Sequence, residues 1–149
     1  MKTTRYILTV LCLALLAAVI LSACGPKEEP GPVTLTISGL VDKPLSLTDA
    51  DLHDMEVVTA TLEHPKDGPT EFTGVLLNDL LAEAGVQSGA ATLTLVASDG
   101  YTYDLELAIV QECSDCMITF AGEAGNYMSA IPGQSGKAWV KGLVSIEVK

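Results

Sequence analysis

From Val33 to the C-terminus, hydrophobic and polar residues alternate in short runs, as expected for strands that bury one face. In Val33–Ile37, for example, apolar residues alternate with Thr34 and Thr36. Residues that favour turns, such as glycine, proline and aspartate, separate the runs. The pattern predicts strands over 33–37, 45–47, 56–62, 91–97, 101–107, 117–120, 127–131 and 143–148. The chain is therefore expected to be rich in β-sheet.

One segment, Leu76–Ala84, has the period of a helix instead. Its four leucines fall on one helical face, and Gly85 follows as a residue suited to the left-handed stop of a helix. A short helical turn is also expected over Thr48–Leu52, with Thr48 as its cap. One main helix (76–84) among many strands predicts an α+β fold, a single domain with a mixed or mainly antiparallel sheet.

The first twenty residues follow neither pattern. Lys2 and Arg5 precede an apolar run, Tyr6–Leu21, which is short for a membrane span. A basic head followed by a short apolar core is typical of a secretory signal. Four residues at its end, Leu21-Ser22-Ala23-Cys24, resemble a bacterial lipobox.

The lipobox resemblance implies that residues 1–23 are a signal peptide and that Cys24 becomes the lipid-bearing first residue. The lipid would attach the protein to a bacterial membrane on its extracytoplasmic side. A plain secretory signal with an incidental cysteine is the alternative interpretation. Residues 24–32, rich in proline and glycine, are expected to form a flexible tether to a domain over 33–149.

Charge excludes some partners of this domain. Cleavage after Ala23 would remove Lys2 and Arg5, leaving six basic against nineteen acidic residues and a formal net charge of −13. Such a surface repels nucleic acids and anionic lipid headgroups, so nucleic-acid binding is excluded. The partners expected are the membrane, through the lipid on Cys24, and an unidentified protein or small molecule.

Two cysteines, Cys113 and Cys116, remain after the signal is removed and Cys24 is lipidated. They form a disulfide or two unreactive thiols in the interpretation we favour, because the flanking Glu112 and Asp115 raise the pKa of a thiol. Thiol–disulfide exchange and metal binding are less favoured alternatives.

No catalytic or metal-binding constellation is predicted. His53 and His64 both lie in polar turns, where they are expected to be solvated. Their spacing from Cys113 and Cys116 does not match that of a metal site, so no metal ligand is assigned.

The order of several blocks resembles the oxidoreductase molybdopterin-binding domain of the sulfite oxidase family. The blocks are Ile37–Pro44, Phe72–Leu81, Ser98–Tyr101, Ile131–Gly133 and Lys141–Val148. The resemblance extends over nearly the whole segment 33–149. It implies that family's fold and makes molybdopterin the candidate cofactor, although the residues themselves assign no cofactor.

The family residues that bind the cofactor are only partly present. The resemblance places a molybdenum-binding cysteine shortly before Phe72, but no cysteine lies between Val57 and Phe72. The family often has an arginine before the Pro-Gly turn, where this chain has Tyr127–Ala130.

Other candidate contacts come from the C-terminal part of the resemblance. The family favours a Gly-x-Lys-Ser-x-Lys arrangement near the C-terminus, of which this chain retains Gly136 and the final Lys141 as candidate cofactor-binding residues. Lys137 lies one position away from the family's first lysine and is a candidate substitute for it. Tyr101 is a further candidate contact. Five side chains are candidates for an apolar pocket nearby, with ordinary core packing as the favoured alternative: Tyr101, Tyr103, Tyr127, Met128 and Trp139.

Three functions follow from the sequence. We favour a non-catalytic binding or accessory lipoprotein, because the scaffold is retained and ligand residues are missing. A molybdopterin-dependent oxidoreductase, or a cofactor-binding subunit of one, is the first alternative. A thiol–disulfide redox protein that uses Cys113 and Cys116 is the second.

Overall fold

Two β-sheets and three short helices make up the part of the chain that the computed structural model describes, residues 31–149. The strands are β1 (Val33–Gly39), β2 (Leu45–Thr48), β3 (Val57–His64), β4 (Gly68–Leu76), β5 (Thr92–Ala97), β6 (Thr102–Glu106), β7 (Met117–Phe120), β8 (Tyr127–Ala130) and β9 (Leu143–Val148). The helices are α1 (Asp49–Asp54), α2 (Leu77–Ala84) and α3 (Leu107–Gln111), and Gly136–Ala138 forms a 3₁₀ turn. The predicted signal peptide 1–23, the predicted lipidation site Cys24 and most of the predicted tether lie outside the described residues.

The larger sheet has five strands in the order β2-β1-β9-β5-β6, and the smaller one has four in the order β3-β4-β7-β8. Strands β1 and β9 pair in parallel, whereas every other strand pair in the two sheets is antiparallel. The predicted α+β class with a mixed, mainly antiparallel arrangement is confirmed. Residues 31–149 form one compact unit.

Helix α2 is the strongest local element, and its amphipathic pattern determines which face is buried. Leu77, Leu80 and Leu81 are buried in the core, and Gly85 ends the helix in the left-handed conformation with φ 69°. The helix begins one residue later than predicted, because Leu76 is still the last residue of β4. Helix α1 begins at the capping box that Thr48 and Asp51 form.

Two elements differ from the sequence prediction. Strand β4 is not predicted from the local pattern because Gly68, Pro69 and Gly74 weaken it, yet it pairs with β3 on one side and β7 on the other. Helix α3 begins at Leu107, where the predicted strand 101–107 should still continue, and it adds a short helix that was not predicted. Pairing with distant segments, which local propensity does not contain, decides both outcomes.

Close contact between β4 and β7 requires a glycine at position 74. A Cβ atom on Gly74 would overlap the carbonyl oxygen of Ile118 on β7. This contact explains the glycine of the Phe72-Thr73-Gly74 block in physical terms. It also positions the β3–β4 hairpin, whose tip contributes to the cavity described below.

No helix within residues 31–149 has the length and hydrophobicity needed to cross a membrane.

Candidate functional site

A cavity of about 370 Å³ opens between the tip of the β3–β4 hairpin and the ends of β8 and β9. Three separate chain segments line it. The lining residues are His64, Asp67, Thr70, Phe72, Ala121, Asn126, Tyr127, Met128, Lys141 and Gly142. Its size lies at the lower end of the range for small-molecule sites.

Asp67 orients the ring of His64 across the hairpin turn. The Nδ1 atom of His64 lies 2.8 Å from Oδ2 of Asp67, and the backbone nitrogens of Lys66 and Asp67 lie 3.4 and 3.2 Å from the same atom. Groups of the turn thus meet at one ring nitrogen and fix the ring. The other ring nitrogen, Nε2, makes no hydrogen bond to any residue of 31–149.

An aromatic cluster supports this histidine. The ring of Trp139 meets that of His64 edge to face at 4.8 Å between centroids, and it lies 5.5 Å from Phe72. Only 13% of the His64 side chain is exposed, so the prediction of a solvated His64 is wrong. His53 is half exposed and stacks on Phe120. Within the described residues, the buried Nε1 of Trp139 has no hydrogen-bond partner, which is costly for an indole N–H.

Tyr127 also lines the cavity and is almost completely buried, with 1% of its surface exposed. Its hydroxyl donates to Oδ1 of Asp49 at 2.8 Å and lies 2.8 Å from Oγ1 of Thr34. Burial, followed by the hydrogen bond and charge of Asp49, raises the pKa of Tyr127 to about 12. The same hydroxyl, helped by the backbone N–H of Gly125, lowers the pKa of Asp49. Tyr127 is thus a fixed wall whose hydroxyl is already bonded.

Lys141 is the cation of the cavity. A backbone bridge to Met128 places it beside β8, and its side chain is exposed. Among residues 31–149 it has no ion pair, whereas Lys43 pairs with Glu83 and Lys149 with Glu147. Its charge is therefore available to a ligand.

The structure separates the candidate cofactor residues. Lys141 lines the cavity, but Gly136 and Lys137 lie in the exposed 3₁₀ turn and do not. The hydroxyl of Tyr101, a residue 41% exposed, donates to the carbonyl oxygen of Lys137 at 3.2 Å. Tyr101 and Lys137 are thus together, at a surface that lies outside the cavity lining.

The five candidates for an apolar pocket divide in the same way. Tyr127 and Met128 line the cavity, and Trp139 is buried behind it, while Tyr103 packs against the core. Sequence reasoning did not find His64 and Asp67, because a histidine beside a proline in a polar turn is typical of a surface loop. Their i, i+3 spacing across a short hairpin is the signal that could have indicated the pair.

Cys113 and Cys116 are joined in a disulfide at the end of α3, away from the cavity lining. Cys116 is buried, and the side-chain amide of Asn78 donates to the carbonyl oxygen of Cys113 at 3.0 Å. The pair lies at the negative end of a helix, where a thiolate is disfavoured. This position supports a structural role for the bond.

The other ionisable groups form no comparable site. Within residues 31–149, no three His, Cys, Asp or Glu side chains are close enough to hold a metal ion. Two other cavities, of about 270 and 530 Å³, lie beside α3. The smaller has no ionisable lining residue, and the larger has Glu106 alone. The cavity at His64 and Lys141 is the candidate functional site.

Comparison with known proteins finds both a family and similar solved structures. The family model described as "oxidoreductase molybdopterin binding domain" matches residues 24–125. Among solved structures, the sulfane dehydrogenase SoxCD from Paracoccus pantotrophus is similar, with a TM-score of 0.65 and 26% sequence identity. That match covers 76% of this chain but only 37% of the SoxCD chain. A comparison with curated protein sequences gives no match.

Proposed function

Since this chain belongs to the family of oxidoreductase molybdopterin-binding domains, we propose that it uses the family fold as a non-catalytic binding module, held at a bacterial membrane by a lipid. The shared fold is the part of this statement that the matches to the family model and to SoxCD support directly. The binding role rests on the side chains that line the cavity. The membrane anchor rests on the N-terminal sequence.

The observation that carries the non-catalytic role is the donor set of the cavity. No cysteine or arginine lines it, and the two cysteines of residues 31–149 are bonded to each other elsewhere. Molybdenum in this family is expected to bind a thiolate, and the pterin phosphate needs several positive groups. Here a single lysine faces the cavity, together with the carboxylate of Asp67. These residues do not fit a molybdopterin cofactor.

Cofactor analysis tests this part of the proposal. The full chain is expressed in a host that makes molybdopterin and is purified from the membrane in detergent. We expect far less than one molybdenum per chain by elemental analysis, and no pterin fluorescence after oxidation. One molybdenum and one pterin per chain would overturn the non-catalytic role and support the oxidoreductase, or cofactor-binding subunit, instead.

The anchor is supported by Leu21-Ser22-Ala23-Cys24 and by the spacer that follows, which would hold residues 33–149 away from the bilayer. Mass spectrometry of the purified protein is expected to find an N-terminal peptide that begins at Cys24 and carries a diacylglyceryl group. Cys24→Ser should remove this modification and the cleavage that depends on it. Unchanged processing and membrane retention of the Cys24→Ser variant would refute the anchor.

A further inference from the structure

The polar groups around the cavity differ in whether they already have a partner within the protein. Four lining side chains already have partners: Asp67 bonds His64, Thr70 bonds Gly68, Asn126 bonds Ala121 and Tyr127 bonds Asp49. Among residues 31–149, the ammonium of Lys141 and the Nε2 of His64 have no such partner. A ligand would therefore find the permanent positive charge of Lys141 and one open ring nitrogen, while the carboxylate of Asp67 is already paired with His64.

The remaining lining favours an apolar body on the ligand. Phe72, on the β3–β4 hairpin, and Met128, on β8, both line the cavity. The ring of Phe72 is supported by Trp139 at 5.5 Å between centroids, so this wall is held in place. Aromatic and thioether side chains suit a flat hydrophobic group.

The charge of the whole domain limits the charge of the ligand. Residues 31–149 contain five lysines against seventeen aspartates and glutamates, a formal net charge of −12. A field of this sign opposes ligands with several negative charges, and one lysine compensates only one. A phosphate dianion or a polyanion is therefore disfavoured relative to a monoanion.

We propose that this cavity binds a small organic monoanion with an apolar body, such as an aromatic carboxylate. Lys141 binds the anionic group, and Phe72 and Met128 contact the apolar part. This inference rests on the proposed function, because it requires a cavity that molybdopterin does not fill. The volume of about 370 Å³ admits such a ligand.

Benzoate is a suitable probe, and Trp139 is a suitable reporter because it is the only tryptophan of the chain and packs behind Phe72. The full chain in a nonionic detergent is titrated by tryptophan fluorescence and calorimetry. Three further compounds are compared with benzoate. Benzamide tests whether the negative charge is needed, and acetate tests whether the apolar body is needed. Phenyl phosphate tests whether a second negative charge is tolerated. We expect saturable binding of benzoate that weakens as salt is added, and much weaker binding of the other three.

Two lysine variants test the position of the site. Lys141→Met is expected to weaken benzoate binding about tenfold, the loss expected for a charged hydrogen bond. Lys137→Met is the matched control because Lys137 is also exposed but lies outside the cavity lining, and this variant should bind benzoate as the wild type does. Thermal unfolding followed by circular dichroism verifies that both variants are folded.

Three results would overturn the inference: no benzoate binding, equal binding of benzoate and benzamide, or equal effects of the two lysine variants. These results are separable from a failure of the proposed function. If molybdenum is absent and benzoate does not bind, the ligand class is wrong while the non-catalytic role stands. If molybdenum and pterin are present, the non-catalytic role is wrong whatever benzoate does.

Discussion

At the scale of single residues, the hydroxyl of Tyr127 connects parts of the chain that are far apart in sequence. It bonds Asp49 at the start of α1 and Thr34 on β1, while its ring forms one wall of the cavity. The bond to Tyr127 is the largest cause of the lowered pKa of Asp49, and burial is the largest cause of the raised pKa of Tyr127. Both shifts make stability depend on pH.

Tyr127→Phe is expected to change stability at both ends of the pH range. Because the pKa of Asp49 is lowered in the folded state, this residue stabilises the fold at neutral pH, and the stabilisation is lost as the pH falls through the lowered pKa. Because the pKa of Tyr127 is raised from 10.0 to about 12 in the folded state, its stabilising effect is present below pH 10 and is lost between those two values. At neutral pH, the free energy of unfolding of Tyr127→Phe should be lower than that of the wild type by about 1–2 kcal/mol.

Urea unfolding across the pH range measures this effect. Tyr103→Phe is the control, because the hydroxyl of Tyr103 makes no hydrogen bond within residues 31–149. The difference in the free energy of unfolding between wild type and Tyr127→Phe should become smaller at acid pH and again above pH 10. If both tyrosine variants give the same profile, the hydroxyl of Tyr127 does not cause the dependence.

At the scale of elements, strand β4 is the one on which the candidate site depends most. It carries Thr70 and Phe72 to the cavity, and it lies between β3 and β7 in the smaller sheet. Its contact with β7 is close enough that only glycine fits at position 74. The backbone at Gly74 therefore determines where the hairpin and its aromatic wall lie.

Gly74→Ala is expected to destabilise the protein by about 3 kcal/mol, because the added methyl must separate β4 from Ile118. The measurement is the free energy of unfolding in urea. Gly136→Ala is the matched control, since no atom lies within 4 Å of the position of its added Cβ. Equal stability of the two variants would show that β4 and β7 can separate at little cost.

At the scale of the whole molecule, the strongest feature is the acidic charge. Residues 31–149 carry a formal net charge of −12, and the ion pairs Lys43–Glu83 and Lys149–Glu147 are exposed at the surface. Exposed pairs of this kind contribute little to stability. Repulsion among the carboxylates should therefore outweigh them and oppose the folded state.

Sodium chloride is accordingly expected to stabilise the protein, by about 1 kcal/mol between low and high salt at neutral pH, because it screens this repulsion. The urea unfolding midpoint at each salt concentration gives the effect. Sucrose at equal osmolality separates screening from a general solvent effect, since it carries no charge. A midpoint that falls as salt is added would mean that the ion pairs dominate.

The sequence by itself determined the local elements and the fold class. Neighbouring residues are sufficient to predict helix α2 with its stop at Gly85, the cap at Thr48 and most strands. Each of these features depends on a short period or a single turn. The order of five sequence blocks was also sufficient to identify the family by resemblance, and the family model confirms it.

Tertiary structure alone decided β4, the start of α3 and the cavity. The cavity is built from three segments that are more than ten residues apart along the chain, so no local pattern contains it. His64 is largely buried with Trp139 packed against its ring, and Lys141 is bridged to Met128 of β8 at the cavity while Lys137 lies outside it. Local sequence sets the conformations available to each segment, but the pairing of distant strands sets which side chains meet.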